Sequence, residues 1–470
     1  WLSLTKPPDR PFVKLRERRA QGTSSSGSIS DLAMAVGNSW HSERVRTAFR
    51  TVVGLSMSLF LALLAAPTPS AQAATKVPTA FTVRGSGAGH GVGMAQYGAY
   101  QLARTGSTAA EILGYYYPGI SVGTANNKPR TVKVQVLGPP VDKRTKTTVT
   151  VTGGKFTVSD GTGKRLGTFK AGKAALKVKG SRANVKIGKK SLTAARLVFG
   201  TSGVATVTGA QGSYHYGNLQ ATVIGKRLNV VNQVAMNTEY LYGLDEMPAS
   251  WAKAGGAAAL QAQVIAARTY VIGQILNHLP PAQQADAAGM PGCDCHVYDD
   301  ERSQNYLGWK KAGKSANKPW VDAVNATIRP DATKPSGSAV DVLWAAPGVI
   351  AEVPYFASSG KDGGTGSNAD VFGTTQLSYL AHVDDPYSAQ APGNPYLSWK
   401  RTLTQKQAAK VFGLKKITSI AITETYPGRL VKTLTATASN GQKKTLTKTA
   451  TAWMSQLGVP APWLVSIKPT

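Results

Sequence analysis

Acidic residues are scarce in this chain: 24 Asp and Glu stand against 54 Lys and Arg over 470 residues, a formal net charge of +30. Such an excess points to a polyanionic partner; a surface charged only for solubility is the bland alternative. No apolar run reaches the ~20 residues that a membrane-spanning helix needs, since the longest, VVGLSMSLFLALLAA (Val52–Ala66), has 15. No Gly-Lys-Ser/Thr follows the glycine-rich opening, which excludes a Walker phosphate loop. No Gly-x-Ser-x-Gly elbow is present, which argues against a serine-hydrolase triad. Neither a zinc finger, nor a stacked-aromatic nucleic-acid motif, nor a repeat of fixed period occurs. Cysteine is limited to Cys293 and Cys295 in GCDCHVY. Exported pairs usually bridge, but Cys-x-Cys closes a very small, strained ring. With His296 adjacent, zinc held by Cys293, Cys295 and His296 is the other reading, and a free pair is a third.

What is present begins with a processing pattern. Arg44, Arg46 and Arg50 lead into the apolar run, and Pro67, Pro69 and Ala71–Ala73 (AQA) follow it. This is the order of an export signal, with Met34 as a more natural start than Trp1 and a mature chain from about Ala74. An uncleaved, outward-facing N-terminal anchor is the alternative. Without residues 1–73 the chain keeps 45 basic and 20 acidic residues. Outside a cell the available polyanions are wall polymers and lipid headgroups, so export argues against nucleic acid as the partner.

The remaining chain divides by pattern. Residues 74–123 open with glycine-rich VRGSGAGHGVGMAQYGAY, then read as helices over about 93–104 and 109–116. Over 124–222, alternating runs such as TVKVQVLG and TVTVTGGKFTVSD predict antiparallel strands. Between Ala125 and Gly200 lie 18 Lys and Arg and only Asp142 and Asp160, so the polar face of that sheet is expected to be strongly positive. Residues 223–400 contain an Ala-rich helix over Gly256–Leu276, and 401–470 hold short strands and a helix near Thr449–Leu457. The expected fold is α+β, a mixed α/β core with a separate, basic, antiparallel β-rich domain.

Several side chains could do chemistry. Glu246 lies in YLYGLDEMPASW, flanked by Leu244, Met247, Pro248 and Trp251. An apolar setting raises a carboxyl pKa and suits a proton donor; Asp245 competes for that role. A plain helix-approach acid is the structural alternative. In LQAQVIAARTY, Gln261 and Arg268 share a helix face with Tyr270 nearby, either lining a cleft or forming a wet edge. His90 and Gln96 lie in the glycine loop, and Ser358 and Ser359 follow a strand-like run in YFASSGKDGGTGSN.

Taken together, YLYGLDEMPASW, LQAQVIAARTY, YFASSGKDGGTGSN, PYLSW and GHGVGMAQYGAY…EILGYYYPG resemble the SpoIID/LytB family, over roughly residues 80–120 and 210–465. The resemblance implies a lytic transglycosylase that cuts peptidoglycan glycan strands, preferably those stripped of stem peptides, with Glu246 as the single acid and base and no cofactor required. It also implies that Arg268, Gln261, Ser358, Ser359, His90, Gln96 and Tyr270 contact substrate. The expected setting is secreted and wall-associated, with anionic wall polymers and a cell-wall amidase as further partners. The chain departs from the family pattern in three places. The GHGVGM segment precedes the core instead of following it, Gln261 stands where the family has Lys, and Lys361-Asp362 interrupt the serine motif. Gln261 keeps a second reading open, a non-catalytic wall-binding or amidase-enhancing module.

Overall fold

Strand periodicity dominates residues 121–235. The computed structural model describes residues 76–127, 130–278, 289–331 and 337–470; the expected export signal lies outside them. Each alternating run becomes a strand, Thr131–Leu137, Lys146–Asp160, Arg165–Lys179 and Arg182–Ile187 among them. Their inward residues Val149, Val151, Ala174, Leu176, Ala183 and Val185 are buried. Alternation decides this because successive side chains of a strand point to opposite faces.

These strands do not hang from the core as an independent sheet. Nine strands of one 11-stranded sheet run in the order Val297–Tyr298, Thr131–Leu137, Arg227–Ala235, Asn218–Ile224, Leu197–Thr201, Lys146–Asp160, Arg165–Lys179, Arg182–Ile187, Lys190–Ala194, and the other two branch from it, Val204–Val207 pairing with Lys146–Asp160 and Ser213–Tyr214 with Val204–Val207. Asn218–Ile224 pairs with Arg227–Ala235 along its whole length, so the sheet crosses residue 222 without a break. All its pairings along that order are antiparallel except Val297–Tyr298 on Thr131–Leu137.

A group of α-helices gives the α+β character. The Ala-rich segment forms the helix Ala257–His278. Leu260, Ala262, Val264, Ala266, Ala267, Val271 and Ile275 are all fully buried; small side chains on several faces let neighbouring elements approach closely. It packs against the helices Gln96–Arg104, Ala109–Tyr116 and Lys318–Ala326 and the strand Ser338–Ala346. The helix Ala109–Tyr116 is started by a capping box, with the Thr108 hydroxyl accepting from the Glu111 N–H and the Glu111 carboxylate accepting from the Thr108 N–H.

The glycine-rich opening is held by residues distant in sequence. Ala80–Ser86 is the middle strand between Trp399–Thr404 and Trp463–Pro469. Met94–Ala95 then pairs in parallel with Tyr355–Phe356. Gly93, at φ 73°, and Gly98 permit these approaches. A β-carbon at Gly93 would collide with the Pro354 carbonyl oxygen, and one at Gly98 with the Tyr116 hydroxyl. Trp463, buried to 3 % exposure, wedges between Gly87, Gly91 and Gly363 and stacks on Phe356 at 5.6 Å.

Candidate active site

Glu246 lies on an irregular segment well ahead of the Ala257–His278 helix, separated from it by a 3-10 turn over Ala249–Ala254. It therefore does not cap that helix. Leu244 bridges to Tyr306, and the Asp245 N–H donates to the Asn305 carbonyl at 2.8 Å, which ties the segment to residues 305–306. The Asn305 N–H donates to Glu246 Oε1 at 2.7 Å. Tyr355 and Gln96 also hydrogen-bond the Glu246 carboxylate. One edge of the residue reaches solvent, but the carboxyl itself is recessed. Desolvation is the largest influence and, against these three hydrogen bonds, pushes its pKa up to about 7.

The groups around Glu246 are themselves fixed. The Tyr240 hydroxyl donates to Gln304 Oε1 at 2.7 Å, and Gln304 Nε2 donates to the Tyr355 hydroxyl oxygen at 2.7 Å. That arrangement leaves the Tyr355 proton free to point at Glu246. Gln96 Nε2 donates to Gln263 Oε1 at 3.2 Å, and the fully buried Gln263 amide nitrogen has no hydrogen-bond partner among the described residues. The Tyr270 hydroxyl hydrogen-bonds the Ser303 side chain and feels the Glu246 charge; burial raises its pKa to about 12.

Asp245 is differently placed. Lys311 Nζ stands 2.6 Å from its Oδ1 and also donates to the Met247 carbonyl at 3.1 Å. The neighbouring carboxylates are thus divided between an ion pair and a proton site, with Glu246 in no ion pair among the described residues.

Next to this centre lies an aromatic surface. Trp251 stacks on Tyr100 at 4.3 Å and meets the edge of Tyr97 at 4.9 Å, and Tyr97 meets Tyr396 at 5.8 Å. Trp251, Tyr97 and Tyr396 are partly exposed.

Other expected contact residues go elsewhere. Arg268 is fully buried, with Nη1 donating to the Asp341 carbonyl at 3.0 Å and Nη2 to Thr327 Oγ1 at 2.9 Å. It braces the helix against the Ser338–Ala346 sheet and presents no surface to a ligand. Ser358 and Ser359 are also fully buried. Ser358 Oγ accepts from the Gly360 N–H and Asn394 Nδ2, and Ser359 Oγ donates to Asp385 Oδ2. His90 is held neutral in the fold, since desolvation lowers its pKa to about 4. Its Nδ1 accepts from the Val92 N–H at 3.0 Å and its other nitrogen bonds the Tyr355 carbonyl, so it orients the strand that carries Tyr355. Gln261 is partly exposed on the central helix, whereas Gln263, two residues on, faces the acid through Gln96.

Cys293 and Cys295 are joined to each other, S–S 2.10 Å. Bridged sulfurs offer no thiolate, so the zinc set of Cys293, Cys295 and His296 does not stand in this form. Asp294 between them adopts φ 51° to close the ring, and His296 Nδ1 accepts from the Lys133 N–H at 3.3 Å.

Tyr355, Asn305, Gln304 and Tyr240 were not singled out in sequence. Tyr355 had a signal, as the first residue of YFASSG, but Gln304 and Asn305 sit in a loop whose composition carries none.

Residues 225–329 match the model of the stage II sporulation protein family, SpoIID. This segment belongs to the SpoIID family. It contains Glu246, Asn305, Gln304 and the disulfide, while Gln96 and Tyr355 are supplied from outside the SpoIID match. Stage II sporulation protein D of Bacillus subtilis (strain 168) is 49 % identical over 45 residues, 10 % of this chain and 13 % of that protein. The amidase enhancer of the same organism is 48 % identical over 42 residues, 9 % of this chain and 6 % of that protein. An uncharacterized protein of Brachyspira hyodysenteriae (strain ATCC 49526 / WA1) is 38 % identical over 63 residues, 13 % of this chain and 17 % of that protein. The matches thus span under a fifth of each relative.

Proposed function

We propose that the chain is a peptidoglycan lytic transglycosylase in which Glu246 is both acid and base. The observation that carries this reading is a recessed carboxyl, its pKa pushed up to about 7 and in no ion pair among the described residues, inside a SpoIID segment. Protonated Glu246 gives its proton to the oxygen between muramic acid and glucosamine. The C–O bond breaks with its electron pair going to that oxygen, and positive charge develops at the anomeric carbon. The resulting Glu246 carboxylate then takes the proton of the sugar's 6-hydroxyl, whose oxygen attacks the anomeric carbon and closes a 1,6-anhydro ring. Atoms balance without water. Ordinary glycosidases need a second carboxylate ~5–9 Å away; the neighbouring one here, Asp245, is committed to Lys311. Gln96, Tyr355 and Asn305 hold the acid in position, and the face of Trp251, Tyr97 and Tyr396 offers sugar rings an apolar platform.

The setting proposed is outside the cell, at the wall. Among the described residues no helix is long and apolar enough to cross a membrane.

The test is incubation of the full chain, and of Glu246→Gln, with peptide-free glycan strands, followed by mass spectrometry. Products ending in 1,6-anhydromuramic acid, one water lighter than hydrolysed ends, and formed only by the unaltered chain, are expected. If neither protein cuts but both bind glycan equally, the second reading holds: a wall-binding module that assists a cell-wall amidase. Gln261 in place of a cation and the short match to an amidase enhancer are what favour it.

A further inference from the structure

The strands Lys146–Asp160, Arg165–Lys179, Arg182–Ile187 and Lys190–Ala194 bury one face and turn the other outward, where the lysines and Arg182 are exposed and Asn184 is buried. Register fixes the members of the outer face, since residues directly opposite one another in an antiparallel ladder share a face. Lys146 lies opposite Lys177, which lies opposite Asn184. Two positions along, Thr148 lies opposite Ala175 and Ala175 opposite Lys186, while Thr150 faces Lys173. At the hairpin end Lys179 faces Arg182. The face thus gathers Lys146, Lys173, Lys177, Lys179, Arg182 and Lys186 with threonines between them and no acid.

None of these six cations makes an ion pair among the described residues. The two acids of this stretch are spent elsewhere. Asp142 pairs with Arg144, and Asp160 holds its own turn through the N–H groups of Thr162 and Lys164. Like charges directly opposite across strands destabilise a sheet, so Lys146 against Lys177 and Lys179 against Arg182 are placements that packing does not explain. Lys146, Thr148, Lys177 and Lys186 line a shallow groove of about 490 Å³.

We propose that this outer face is a binding surface for a polyol-phosphate polymer, a flexible chain with one phosphodiester per short repeat. Alternate residues along a strand stand about 7 Å apart, the length of an extended three-carbon phosphodiester unit, and neighbouring strands are closer still. Lysine is a point charge suited to successive phosphates on a flexible chain, and threonine hydroxyls suit polyol oxygens. The face carries no aromatic side chain, so it lacks the stacking platform with which single-stranded nucleic acids are held. This inference stands apart from the chemistry at Glu246, because no residue of the face belongs to that site.

The test uses the full chain and the triple variant Lys146→Gln, Lys177→Gln, Lys186→Gln, titrated with poly(glycerol phosphate) at two salt concentrations. A second triple variant, Lys415→Gln, Lys443→Gln, Lys444→Gln, has the same net charge with the face intact. Expected are an affinity loss of tenfold or more for the first variant and a salt dependence shallower by about two. The second variant should bind like the parent, and both should keep the parent's melting temperature and cutting of soluble glycan. Equal losses in the two variants would show that only net charge matters and overturn the proposal. So would unchanged binding by the first, or single-stranded DNA binding the parent more tightly than poly(glycerol phosphate) and being lost in the first variant.

Discussion

Two consecutive carboxylates illustrate how far neighbouring residues diverge in a folded chain. Lys311 engages Asp245, while Glu246 is held only by neutral groups. The pKa of Glu246 rises from 4.5 to about 7, with desolvation the main cause. A carboxyl raised in this way costs the fold nothing below the unfolded value, and the cost grows until the pH passes the folded value. Above about pH 7 it amounts to roughly 2 to 3 kcal/mol, allowing for the solvent-facing edge. Glu246→Gln is therefore expected to unfold at higher urea than the parent at pH 8 and to lose that advantage at pH 4. An equal difference at both values would sink the assignment. In the general-acid role proposed for it Glu246 must be protonated, so kcat/KM is expected to fall as pH rises through about 7. Asp299, also raised to about 7 by burial, is the control, and Asp299→Asn should leave that limb in place. Tyr355→Phe removes a hydrogen bond that favours the carboxylate. The alkaline limb should then move upward by up to about one unit while kcat falls.

At the scale of elements, the central helix has two roles that its sequence does not separate. Gln263 and Tyr270 face the acid, whereas Arg268 faces the sheet and spans to Asp341 and Thr327. Arg268→Ala should thus cost about 3 kcal/mol in urea unfolding and leave the KM of the folded fraction unchanged. A tenfold rise in KM without loss of stability would return Arg268 to substrate binding. The 3-10 turn Ala249–Ala254 carries Trp251 onto the helix Gln96–Arg104. Trp251→Phe retains the stack on Tyr100 while shrinking the platform, and a KM increase of about three- to tenfold with kcat unchanged is expected from glycan titrations. The helices were legible because their spacing and caps are local. The Ala-rich run and the helix Ala109–Tyr116 both emerge close to where their residues predict them.

For the molecule as a whole, distant segments meet at one site. The strand Ala80–Ser86 lies between two strands from the last third of the chain, and Trp463 supports the loop that leads to His90. Trp463→Ala should lose about 3–5 kcal/mol and, by releasing the Tyr355–Phe356 strand, reduce glycan cutting even at temperatures where the protein stays folded. Unaltered specific activity of the folded variant would show that the wedge is structural only. The one sheet that spans residue 222 is also a whole-molecule property. Alternation signals strands, but nothing in a strand's own residues says whether it ends a domain or pairs with the next strand.

The sequence by itself determined the local features of this protein: the alternating strands and their cationic outer face, the Ala-rich helix, the short helix over residues 109–116, and the apolar neighbours that flank the Glu246 carboxylate along the chain. Each follows from side-chain period or from the chemistry of adjacent residues, which act over a few positions. Only the tertiary structure decided the company that carboxylate keeps. It brought Gln96 to Gln263 across 167 residues and Asn305 to Glu246 across 59. It also drew Arg268, Ser358 and Ser359 inward, where buried polar atoms find partners inside the protein. Burial and long-range register arise from packing the entire chain at once, and a polar side chain in a motif looks the same in sequence whether it ends in a cleft or in the core.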